Sequence, residues 1–302
     1  MRKWVNWAAV WLSLMYSLDG QCQQYFYNDK YYDSEWLIEA GVGTGVINAL
    51  TDLGGRKGKG AASIKDLTIK NSKAIAGFHL SLLHDYKLAL SLHYTHGNIS
   101  AQDSILNNEK DVSHSRYFRN LHFRSVIREA SARFEWHFWR TFNELDNCSP
   151  YIITGIGYYQ FRPQALYKQR WIDLQPLHTE GQGFPEYSDR KPYSLKQFNL
   201  PLGLGIQYEL SALVNLRLEL INRILFTDYL DDVSTNYIDP SLFSKYLGPD
   251  KAAEALVVAD RRREIDPGFN GAVGDKRGNS SRNDSYFTID LGIGLVLNRK
   301  RR

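Results

Sequence analysis

Apolar residues alternate with polar or small ones, at a period of two, along most of this chain. In YFTIDLGIGLVL (286–297), Phe287, Ile289, Leu291, Ile293, Leu295 and Leu297 share one face, opposite Thr288, Asp290, Gly292, Gly294 and Val296. FNLPLGLGIQYEL (198–210), REASARFEWHF (128–138) and WLIEAGVGTGV (36–46) repeat the pattern. Successive side chains of an extended chain point to opposite sides, whereas a helix repeats every 3.6 residues, so these runs predict strands. Weaker runs at 74–83, 88–97, 150–161 and 214–226 bring the set to eight. Eight is even, and each run suits a tilted membrane-crossing strand of about 9–11 residues.

The polar face decides which solvent surrounds the strands. Glycines share it with Glu39, Arg133, Glu135, Glu209, Arg217, Glu219 and Asp290. In a water-soluble barrel that face would look outward, where glycines weaken strands for no gain. Inside a narrow barrel with a lipid-facing exterior, small residues fit and opposite charges neutralise one another, as buried charge requires. Connection lengths agree. Short links at 84–87, 141–149 and 211–213 alternate with long ones at 49–73, 100–123, 162–194 and 227–284. The chain is therefore expected to be all-β: an eight-stranded antiparallel transmembrane β-barrel over 36–297, with long extracellular loops, short periplasmic turns and both termini periplasmic. Trp136, Phe138, Trp139, Tyr151 and Tyr208 are expected at the periplasmic interface, and Tyr94, Tyr158, Phe226 and Tyr286 at the outer one. Eight strands enclose a lumen that side chains fill, so no diffusing small-molecule substrate is expected. His79, His93 and His137 read as hydrogen-bonded lumen filler.

The N-terminus fits export. Arg2 and Lys3 precede an apolar run at 8–18, too short to span a bilayer and proportioned like a secretory signal. A signal peptide over 1–22 is expected, cleaved after Gly20 or Cys22, followed by a periplasmic segment at 23–35; a basic periplasmic tail occupies 298–302. Cys22 and Cys148 allow at most one bridge. A net charge of +4, partly from that tail, gives no nucleic-acid footprint. Tyr25, Tyr27, Tyr31 and Tyr32 form either a partner-docking patch or a headgroup-level belt.

Chemistry-bearing motifs are sparse. FTDYLDDVSTNYID gathers Asp228, Asp231, Asp232 and Asp239. It lacks the alternate ligands, central glycine and distal glutamate of a calcium loop, so turn and cap roles are expected. GGRKGKG (54–60) lacks the Lys-Ser/Thr end of a phosphate loop. His122, Ser125 and His178 are the best imaginable lipid-hydrolysing set, but nothing in the sequence places a base beside a nucleophile. No catalytic, cofactor or metal residue is assigned.

Two loop stretches carry a family resemblance: Gln175, Pro176, Leu177, Thr179, Glu180, Gly181, Gln182 and Gly183, then 227–235, TDYLDDVST. With the C-terminal DLGIGLVL, they resemble a family of Bacteroidetes outer-membrane barrels that includes the PorG component of the type IX secretion system. The resemblance implies a non-enzymatic role in the outer-membrane lipid, anchoring or organising a periplasmic ring of PorK and PorN proteins. The two stretches are expected to fold together over the barrel mouth. The alternatives are a surface barrel whose loops bind an extracellular ligand or host molecule and, behind it, a lipid-modifying enzyme.

Overall fold

The eight alternating runs form the staves of a closed barrel. In chain order the strands are β1 (Trp36–Leu50), β2 (Lys73–His84), β3 (Leu88–Gln102), β4 (His122–Trp136), β5 (Cys148–Gln160), β6 (Pro163–Tyr167), β7 (Arg170–Asp173), β8 (Lys196–Ser211), β9 (Val214–Leu225) and β10 (Ser285–Val296). All but β6 and β7 are staves. The computed structural model describes residues 35–54, 71–106, 114–141, 147–271 and 273–299. Every stave pairs antiparallel with its neighbours, in the order β3-β2-β1-β10-β9-β8-β5-β4, and a β3–β4 ladder closes the ring. The first and last staves meet along the seam Glu39↔Val296 to Leu50↔Ser285. Closure leaves no stave edge unpaired, the condition a sheet must meet in hydrocarbon. No helix among the described residues is long and apolar enough to cross a membrane.

The greasy face points out. Val42, Phe78, Leu90, Phe134, Ile156, Leu204, Leu218 and Leu291 are exposed, while Glu39, Arg133, Glu135, Arg217 and Glu219 are buried inside. Gly205 shows why that inner face is rich in glycine. A Cβ there would lie 2.2 Å from the Tyr151 ring, which occupies the space directly across the ladder.

Two aromatics depart from expectation. Tyr151 and Tyr286 are not interfacial: both are buried on the inner face, because each falls on the polar parity of its strand. The β6–β7 hairpin extends the sheet from β4 within the loop expected at 162–194. β3 and β4 also run further toward the long loops than the alternating runs reach. The acidic stretch forms bends and irregular backbone, and helices follow later, at Ser241–Tyr246 and Pro249–Val258.

The main apolar core sits at the long-loop end. Strand ends supply Ile47, Ile99, Phe123, Ile127, Tyr159 and Leu225, and the loops add Leu177, Phe184, Leu230, Val233, Phe243 and Val258. The loops thus make a packed dome over the barrel. The signal peptide, the Tyr25, Tyr27, Tyr31 and Tyr32 patch and residues 55–60 of the glycine-basic stretch lie outside the described residues.

Candidate functional site: a charge-filled lumen under a loop dome

Period-two geometry places Arg217, Glu219 and Arg223 on the inner face of β9, with Glu129, Arg133 and Glu135 opposite on β4. Arg217 is the hub. Its Nη1 donates to Glu39 Oε1 at 3.0 Å, its Nη2 to Glu135, and its Nε lies 3.4 Å from Glu219 Oε1. Tyr151 Oη accepts from the same Nε at 3.2 Å and donates to Glu219 Oε1 at 2.6 Å. Arg133 reaches Glu219 at 3.3 Å and Glu129 at 3.6 Å. Glu129 in turn faces Arg223 Nε at 3.3 Å and accepts from Tyr286 at 2.5 Å.

Histidines complete the fill. His79 lies 3.0 Å from Glu39, His93 3.7 Å from Glu135, and His137 3.0 Å from Ser149. Asp290 accepts from Thr288 at 2.5 Å. Glu209 shares the inner face nearer the short turns and is buried. Glu129, Arg223, Tyr151 and Tyr286 are network members that sequence reasoning did not select. Parity alone would have found them. A lumen crossed by so many paired, buried charges is largely filled by side chains, as eight staves allow.

The dome is built on Glu180. Its Oε1 accepts the Ser234 amide at 2.9 Å; its Oε2 accepts the Thr235 amide at 2.9 Å and the Thr235 hydroxyl at 2.7 Å. Arg277 Nη1 donates to Glu180 Oε1 at 2.8 Å and to the Asp232 carbonyl at 2.6 Å. Asp232 accepts from Thr179 at 2.5 Å and from Tyr193 at 2.7 Å. Gln175 and Pro176 open a short 3-10 turn, and Gln175 Nε2 donates to the Tyr193 carbonyl at 3.2 Å. Gly181 holds a φ of +73°, which glycine tolerates. The two loop stretches singled out in the sequence are therefore in direct contact.

Beneath them lie buried carboxyls. Asp231 Oδ1 accepts the Val233 amide at 2.9 Å, and Asp284 Oδ2 accepts that of Leu230 at 2.9 Å. Burial, reinforced by neighbouring acids, pushes Asp228 up to about 9. Burial and Asp52 push Asp231 up to about 8, and burial lifts Asp232 to about 6. Asp239, by contrast, is exposed and caps the Ser241 amide at 2.9 Å. Among the described residues no group of three or more His, Cys, Asp or Glu is arranged to hold a metal ion.

His122, Ser125 and His178 do not converge. His122 faces outward and accepts the Leu166 amide at 3.0 Å, while Ser125 faces inward and accepts the Arg162 amide at 2.8 Å. The dome also holds an open cavity of about 470 Å³ beside Ile238, Phe243, Leu256, Val257, Arg263 and Val273.

A closed antiparallel barrel with an apolar exterior, a charge-filled lumen and a folded loop roof is an eight-stranded transmembrane barrel of the outer-membrane type. The chain belongs to the family described as Domain of unknown function (DUF6089), whose model matches residues 34–242. No curated protein matches it. Among solved structures it is similar to the outer membrane protein OprG from Pseudomonas aeruginosa, with 12% identity, a TM-score of 0.40, and coverage of 88% of this chain and 97% of that one. It is also similar to Ail, the attachment invasion locus protein of Yersinia pestis, in complex with the heparin analogue sucrose octasulfate, with 8% identity, a TM-score of 0.37 and coverage of 88% and 100%. Neisserial surface protein A gives 9% identity, a TM-score of 0.36 and coverage of 87% and 98%. At such values the likeness extends to no ligand, partner or activity.

Proposed function

We propose that this chain is a non-conducting, non-enzymatic barrel of the outer membrane that serves the type IX secretion system as an anchor or organiser of the periplasmic PorK/PorN ring. One observation carries the reading. Glu180 and Arg277 clamp residues 179–183 to 232–235, so the two stretches that resemble the PorG-containing family make one rigid body on a sealed barrel. Such a body suits a scaffold better than a pore. In this reading the signal peptide is removed, both termini and the short turns face the periplasm, and Tyr25, Tyr27, Tyr31 and Tyr32 contribute to the docking surface. Deleting the chain in its own host should abolish export of cargo bearing type IX signals, and the tagged chain should retain PorK and PorN on affinity capture. Normal export together with no capture of either would end the proposal.

A second reading, a barrel whose loops bind an extracellular ligand, is favoured by the dome cavity, since about 470 Å³ is within the range of small-molecule pockets. Deletion of the chain separates the two: export of type IX cargo should continue if ligand binding is the role.

A further inference from the structure

The apolar belt is not of even height. On β8 the outward series Leu210, Ile206, Leu204, Leu202, Leu200 and Phe198 stays apolar almost to the long-loop end, and β10 behaves alike from Leu297 to Ile289. On β3 the series Leu88, Leu90, Leu92 and Tyr94 gives way early, to His96 and Asn98. On β4, Trp136, Phe134, Ala132 and Ala130 give way to Arg128, then Val126 and Arg124. The two breaks coincide, because the ladder pairs His96 with Arg128 and Ser100 with Arg124.

Directly opposed residues on one sheet face hold their Cβ atoms about 5 Å apart, so the imidazole and guanidinium share one patch. Arg128 and His96 are exposed, and neither side chain is bonded to another described residue. Arg124 is braced, its Nε donating to Gln164 at 3.1 Å and its guanidinium stacked 4.1 Å from the Trp171 ring. Asp173, the acid of the adjoining hairpin, is already engaged by Arg162 at 2.7 Å. The patch is cationic, and it lies where the hydrocarbon belt ends.

We propose that Arg124, Arg128 and His96 form a binding site on the outside of the barrel for the phosphate-bearing headgroup of an anionic membrane lipid, in the leaflet at the long-loop end. The early end of the belt on β3 and β4 brings that headgroup down to the guanidiniums, and Arg, with its planar fork of donors, is suited to phosphate. The proposal rests on the barrel lying in a bilayer, but not on the secretion role.

Native mass spectrometry of the full chain in detergent, with equimolar phosphatidylglycerol and phosphatidylcholine, tests it. The wild type should retain phosphatidylglycerol preferentially, by roughly fivefold for each arginine engaged. Arg124→Gln with Arg128→Gln should bring the ratio near parity, while Lys245→Gln, on the dome, should leave it unchanged. If the double variant does not fold, Arg128→Gln alone decides, with an intermediate ratio expected. Equal retention of both lipids by the wild type, or an unaltered ratio in the arginine variants, overturns the site. Complete displacement of the lipid by millimolar inorganic phosphate also overturns it, and binding of neither lipid overturns the membrane reading as well.

Discussion

At the scale of single residues, the lumen is governed by what a buried charge requires. Arg217 is almost wholly removed from solvent and serves Glu39, Glu135 and Glu219 together. Replacing it strands three carboxylates in a confined interior, whereas removing one acid leaves the guanidinium other partners. Arg217→Leu should therefore cost about 3–5 kcal/mol of unfolding free energy, measured by urea titration in detergent or lipid. Arg217→Leu combined with Glu39→Gln and Glu135→Gln should recover part of that loss. An Arg217→Leu barrel as stable as the wild type would mean that the ion pairs do not hold the lumen together.

At the scale of elements, the dome is where stability should respond to pH. Burial, reinforced by Asp231 and Asp52, pushes Asp228 up to about 9, and burial with Asp52 pushes Asp231 up to about 8, against an ordinary 3.8. The folded loops hold protons that the opened loops release, so this stabilisation is complete below about pH 4 and is lost as pH rises toward 9. Limited proteolysis should cut residues 227–284 at least tenfold faster at pH 9.5 than at pH 5, and Asp231→Asn should flatten the profile. Cutting rates independent of pH would show that these carboxyls are solvated. The elements also mark what the sequence discloses. Staves are legible because burial on one face enforces strict parity, and parity by itself assigns Arg217 and Glu135 to the inner face. The β6–β7 hairpin is not legible, because its turn residues, Lys168 and Gln169, adopt φ of 45° and 68° without the Asn or Gly that advertises such a turn. The Glu180 clamp is hidden for another reason: Glu180 and Arg277 are 97 residues apart, and only tertiary packing joins them.

At the scale of the whole molecule, a sealed lumen under a packed roof predicts electrical silence. In a planar bilayer the purified chain should show no sustained open-pore conductance, and steady ohmic steps would contradict the paired-charge interior. The seam between β1 and β10 governs how such a cylinder comes into being. Asn298 bridges it at the short-turn end, accepting the Ile38 amide at 2.9 Å and donating to the Trp36 carbonyl at 2.7 Å. The two staves that meet there lie at opposite ends of the chain, so the circle cannot be completed until translation of the last stave is finished. A polypeptide truncated ahead of Ser285 would retain most of its ladders yet present two raw hydrogen-bonding margins to the hydrocarbon. Such a fragment has no half-inserted resting state, and biogenesis of this molecule is correspondingly all or nothing.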